Sequence, residues 1–149
     1  MKRNACSCKM FIYCSSTDSQ LFYPGNVATL FKVKLPKTLH FEGGGWQVGL
    51  VEIQIPSFIK TYDAQFLTVN STLCQDSIVG QELLPCLRRI FKSDLQGTNQ
   101  PFNPILYTAL NVIKCDVITV YIKDEKGNPP LLDPTKALDC TLHFRQLRH

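Results

Sequence analysis

Seven cysteines and three histidines are the residues of this chain best placed to do chemistry. Cys6, Cys8 and Cys14 lie close together near the start, where thiolates could in principle hold zinc. Structural zinc sites use C-x₂₋₄-C pairs with a second pair at a set distance. A C-x-C pair with a third Cys six residues on, and no His nearby, matches that pattern poorly. A Cys–His nucleophile needs an imidazole beside its thiolate. His40 falls at an expected turn, His143 on the outward side of an expected strand, and His149 is the last residue; none sits in a motif. There is no G-x-S-x-G, H-E-x-x-H or G-x-G-x-x-G, and Gly43-Gly44-Gly45 lacks the Lys of a phosphate-binding loop. The sequence therefore assigns no catalytic, cofactor-binding or metal-binding residue, and a protein that is not an enzyme is expected.

Two further patterns have bland readings. Asn70-Ser71-Thr72 matches the glycosylation acceptor triplet but falls inside an expected strand, so it is read as unused. Arg88, Arg89 and Lys92 form one small basic cluster, and Arg145, Arg148 and His149 another. Nucleic-acid readers carry denser charge interleaved with stacking aromatics. At a net charge of +4, only weak nucleic-acid contact through the basic ends is expected.

The elements that must position these residues come from periodicity and turn chemistry. A chain of 149 residues with 44% hydrophobic and 19% charged content is the size and composition of one globular domain. Nine Pro and eight Gly are spread along it, which suits short strands separated by turns. No apolar run approaches the ~18 residues that span a bilayer, so no membrane partner is expected. Met1 to Lys9 is basic without a following apolar stretch, and the Cys count is odd. Reduced thiols in a chain not routed for secretion are the expectation.

Thr29 to Leu35 alternates, with Phe31, Val33 and Leu35 on one face, the period-2 signature of a half-buried strand. Cys115 to Lys123 does the same with Ile118, Val120 and Ile122, and Leu138 to Phe144 with Leu138, Cys140, Leu142 and Phe144. Lys9 to Cys14, Phe66 to Cys74 and Ile105 to Leu110 are further extended segments. Trp46 to Ile55 is apolar on both faces: Trp46, Val48 and Leu50 on one, Val51, Ile53 and Ile55 on the other. Such a strand is either covered on both sides or re-aimed by a bulge near Gly49. Residues 82–93 read as a short helical turn leading into a strand. About eight strands and no long helix predict an all-β, two-sheet antiparallel sandwich, a single jelly roll. One domain is expected over 1–149, with an N-terminal arm at 1–8 and a tail at 146–149.

Three blocks of the chain carry a resemblance. The first runs through Phe31 to Pro36, Leu39, Gly45 to Ile53 and Ile55-Pro56-Ser57. The second holds Val79-Gly80, Leu83-Leu84 and Arg88-Arg89; the third Ile118 to Asp124, Gly127 and Thr141 to Arg145. Together they resemble the penton-type minor capsid protein of adenovirus-related DNA viruses and virus-like transposons of animals, the adintovirus, adomavirus and Polinton group. The triple Gly and the Cys-rich start depart from that pattern. The resemblance implies a single jelly roll forming a homopentamer in the virion, at the fivefold vertices of an icosahedral capsid, against a major capsid protein. The alternative from the residues alone is a ligand- or carbohydrate-binding β-sandwich, whose secreted forms carry paired Cys.

Overall fold

The computed structural model describes residues 6–95 and 99–147. It is an antiparallel β-sandwich of eleven strands: β1 (Cys6–Ser15), β2 (Leu30–His40), β3 (Trp46–Gln54), β4 (Phe66–Ser71), β5 (Ser77–Val79), β6 (Glu82–Leu84), β7 (Cys86–Phe91), β8 (Gln100–Pro101), β9 (Tyr107–Ala109), β10 (Lys114–Asp124) and β11 (Asp139–Leu147). One sheet has the order β1-β11-β3-β8, with β9 also on the outer edge of β3. The other has the order β2-β10-β4-β7, and β5 and β6 form a separate hairpin. The pairing is nested. The first strand lies beside the last, β2 beside β10, β3 beside both β8 and β9, and β4 beside β7.

The core between the sheets is built from the alternating residues. Phe31, Val33, Ile53, Ile118, Val120, Leu142 and Phe144 are all buried, as the periodicity requires. Val51 is half-buried instead, because it is the extra residue of a β-bulge: Thr141 pairs with Glu52 while the next residue, Leu142, pairs with Leu50. Two residues of β3 therefore oppose one interval of β11, and the inward parity switches there. Val48 and Leu50 point into the core before the bulge, and Ile53 and Ile55 after it. The two apolar faces read from the sequence are thus one face, re-aimed at Val51 rather than at Gly49, and β3 carries no surplus apolar side.

Gly49 serves a different purpose. A Cβ there would lie 2.6 Å from the Ile105 side chain and 2.9 Å from the Leu106 carbonyl oxygen. Only a glycine lets the 105–107 segment cross the outer face of β3 at that distance.

Residues 82–93 differ from the expectation of a helical turn. Residues 82–84 are the second strand of a hairpin whose tight turn needs Gly80 at φ 64°, and the one helical element of the described residues is a 3₁₀ turn at Lys92–Asp94. A second bulge, at Leu87, lets Leu87 and Ile90 both face the core, leaving Arg89 and Phe91 outside. Neither end matches the expected boundaries. β1 already begins at Cys6, within the expected arm, and β11 runs on to Leu147, with Gln146 buried. Backbone pairing of Cys6 with Leu147 and of Cys8 with Gln146 makes these residues part of the sheet.

The glycine turn between β2 and β3 is tied to the end of β11. Gly43, Gly44 and Gly45 all have positive φ, at 88°, 72° and 74°. The Gln146 carboxamide donates to the Glu42 and Gly44 carbonyls, and the Leu147 N–H to the Gly45 carbonyl. Beneath the turn, Phe41 stacks on Phe144 at 5.4 Å and meets Trp46 edge-on at 5.2 Å.

Candidate functional surfaces

Each residue singled out for chemistry has a definite place. Cys14 is buried opposite Cys140 in the β1–β11 ladder, so it faces the core rather than a metal site. The Cys6 and Cys8 side chains, and residues 148–149, lie outside what the structure describes. Among the described residues there is no group of three or more His, Cys, Asp or Glu arranged to hold a metal ion. His40 is exposed at the end of β2. Asn70 has no exposed surface, which closes the triplet to a glycosyltransferase in the folded protein.

The basic cluster on β7 is spent within the fold. The Arg88 guanidinium lies 4.3 Å from the Phe102 ring and donates to the Pro104 carbonyl at 3.0 Å. Arg89 lies over Phe66 and Phe91, and Lys92 pairs with Asp63. Cation–π and ion-pair contacts of this kind help hold strand ends together.

The outer face of the β1-β11-β3 sheet carries a polar–aromatic cluster that sequence reading did not foresee. The His143 Nδ1 and the Tyr107 hydroxyl share a hydrogen bond at 2.8 Å. The Phe11 ring lies 4.6 Å from the imidazole, and the Arg145 guanidinium 3.5 Å from the Tyr107 ring. Gln47 accepts a hydrogen bond from Arg145. Alternation put His143 on the outward side, and so it is; tertiary structure then covers it to 8% exposure beneath Phe11 and the 105–107 segment. Its Nε2 is buried without a partner. Burial, with Lys9 and Arg145 adding to it, lowers the imidazole pKa below its ordinary value. One nitrogen is thus hydrogen-bonded to Tyr107 and the other lies buried. The local signal was Gly49, directly across the ladder from His143, because a glycine inside a strand marks a close backbone approach.

Exposed apolar residues stand at both ends of the sandwich, besides Phe11, Tyr13 and Leu106 on the outer sheet face. At one end, where β1 finishes and β2 begins, Leu21 (99% exposed), Phe22, Val27 and Leu30 stand out, with Ile59 and Leu131 nearby. A cleft of about 320 Å³ runs among Val27, Ala28, Ile59, Leu131 and Thr135. At the other end, Ile113 (77% exposed) flanks a wider hollow of about 580 Å³ lined by Phe41, the glycine turn, Trp46 and Leu110. Ile78 and Leu83 project from the β5–β6 hairpin. Polar side chains, Asn26, Asp133, Thr135 and Lys136 among them, also line the first cleft. No helix among the described residues is long and apolar enough to cross a membrane. No protein-family model matches the chain, and comparison with curated proteins returns no match.

Proposed function

We propose that this chain is a structural capsid protein, the pentameric vertex component of an icosahedral DNA virus or virus-like element, built as a single jelly roll. The observation that carries the reading is the nested strand order. A hairpin whose arms pair first with last, second with second-to-last and so inward, in two sheets, supports the jelly-roll reading. The three sequence blocks of the resemblance lie on β2–β3, on β5–β7 and on β10–β11, so they span both sheets.

Assembly follows from the surfaces. A ring of five needs a head-to-tail interface in which two unlike patches meet, and such an interface closes by rotation. Exposed apolar side chains at both ends of the sandwich provide material for contacts with neighbouring copies and with a major capsid protein. The apolar side once expected on β3 is not part of this support, because the bulge at Val51 turns it inward.

The test is the mass and shape of the purified full chain. Light scattering giving five chains per particle, with five-fold rings by electron microscopy, is the expected result. Co-expression with a double jelly-roll major capsid protein should retain it in particles. A monomer at high concentration that no capsid protein retains overturns the reading in favour of a binding module.

A further inference from the structure

β1 is an edge strand, held to its sheet on one side only, by β11. In that ladder Cys14 stands directly opposite Cys140. Both side chains are buried, 3% and 4% exposed, across from each other in the ladder. Directly opposed residues in an antiparallel pair have Cα atoms about 4.5–5.5 Å apart, within the range of about 4.4–6.8 Å that a disulfide spans. Their Cβ atoms, about 4.5–5.5 Å apart, must close to roughly 4 Å. An edge strand with no neighbour on its far side can make that small shift.

We propose that Cys14 and Cys140 form a redox-responsive pair, which a low-molecular-weight disulfide such as glutathione disulfide converts to a cross-strand bond pinning β1 to β11. One cysteine thiolate attacks a sulfur of glutathione disulfide, the glutathione S–S bond breaks, and one glutathione leaves as its thiol. The second cysteine, deprotonated, attacks the protein sulfur of the mixed disulfide and expels the other glutathione. Two protein thiols and one glutathione disulfide become one protein disulfide and two glutathione thiols, which carry away both protons. In a reducing cell the pair stays as thiols. Outside the cell the bond forms, joining the nested hairpin's first strand to its last.

The other described cysteines are poorer candidates. The Cys115 thiol donates to the Val117 carbonyl at 3.1 Å from the opposite sheet. The Cys74 thiol donates to the Ser71 and Pro85 carbonyls, and Cys86 pairs in register with Asn70, not with Cys74. The Cys14–Cys140 pair is slow to react while closed, because its partner thiol and burial both raise the Cys140 pKa well above the ordinary thiol value. Reaction therefore proceeds through fraying of the edge strand, and it quickens with mild heat or dilute denaturant.

The folded full chain is incubated with glutathione disulfide, alkylated, digested without reductant and analysed by mass spectrometry. The expected product joins the Cys14 and Cys140 peptides, lighter by two hydrogens than the separate thiols. It should vanish with dithiothreitol, be absent from Cys14→Ser and Cys140→Ser, and persist in Cys115→Ser. The oxidised protein should also unfold at a higher temperature than the reduced one. Both thiols remaining alkylatable after oxidation at the onset of unfolding would overturn the proposal, as would a wild-type bond from either cysteine to Cys115. An unchanged unfolding temperature would overturn the pinning. The mapping on wild type and Cys115→Ser decides the matter even if the Cys14 and Cys140 variants fold poorly.

Discussion

Asp124 is an acidic side chain brought nine-tenths out of water at the end of β10 and kept ionised there. Burial alone would raise its pKa, but the Tyr62 hydroxyl and the Asn128 and Lys126 N–H groups donate to the carboxylate and hold the pKa below the ordinary value. A carboxyl lowered by folding stabilises the protein above the unfolded pKa, near 4, and that stability is lost as pH falls through the folded value. Asp124→Ala should therefore cost about 2–3 kcal/mol at neutral pH, and urea titrations at pH 7 and pH 3 should show the penalty shrinking in acid. The glycine turn separates two costs. Gly44→Ala meets only the left-handed backbone, about 1–2 kcal/mol, since no atom lies within 4 Å of the new Cβ. Gly45→Ala adds a Cβ 2.6 Å from the Leu147 carbonyl oxygen, so denaturant midpoints should rank it clearly below Gly44→Ala. Phe144, fully buried against Phe41, should cost about 3–5 kcal/mol when cut to Ala.

Bulges decide which side of an element faces inward. Deleting Val51 would leave a regular ladder, with Leu50 still opposite Leu142 and Ile53 opposite Cys140, so Val48, Leu50, Ile53 and Ile55 would stay on one face. A cooperative unfolding transition should therefore persist in the deletion variant, as in Val51→Thr, and its loss in a denaturant titration would show that the bulge itself is needed. The 105–107 segment and β1 together bury His143, and this gives the outer face of the sheet a pH dependence. The unfolded chain protonates this histidine near pH 6.5, while the folded state, with its lowered pKa, disfavours the proton. Stability on this account is full above the unfolded pKa and is lost as pH falls below it towards the folded value. The groups facing the ring are Lys9 on β1, Tyr107 on β9 and Arg145 on β11, and both cations oppose protonation. His143→Gln should be less sensitive than wild type when melting temperatures are compared between pH 7.5 and pH 5.5. An equal fall in both proteins would assign the pH dependence elsewhere.

For the whole molecule, nested pairing means that β1 and β11, at opposite ends of the described chain, must meet before the sheet is complete. Ladders of such long sequence separation fold slowly, on the millisecond-to-second scale, and stopped-flow refolding should show it. Assembly belongs to this scale as well. If the exposed apolar residues at the two ends of the sandwich are contacts between copies, Leu21→Glu or Ile113→Glu should leave the monomer folded and abolish rings in the electron microscope. Rings formed by both variants would move the interface elsewhere.

Alternation alone determined the all-β class, the placing of β2, β10 and β11, and most of the core, because a half-buried strand must repeat every two residues. It also excluded the recognised catalytic motifs, since each requires residue types at spacings this chain lacks. The bulge in β3 was legible only as one of two alternatives, and the one at Leu87 not at all, because an inserted residue changes parity without changing composition, and apolar residues on both sides of Val51 read equally well as two covered faces. The sheet-edge strand β8 was not legible, its Gln100 and Pro101 being joined to β3 only by long-range pairing. Above all, which strands are neighbours was decided by tertiary structure. Periodicity says which side of a strand is buried, but backbone hydrogen bonds are the same at every residue and carry no address. Only the joint packing of both sheets brings Cys14 opposite Cys140 and seals His143 beneath Phe11.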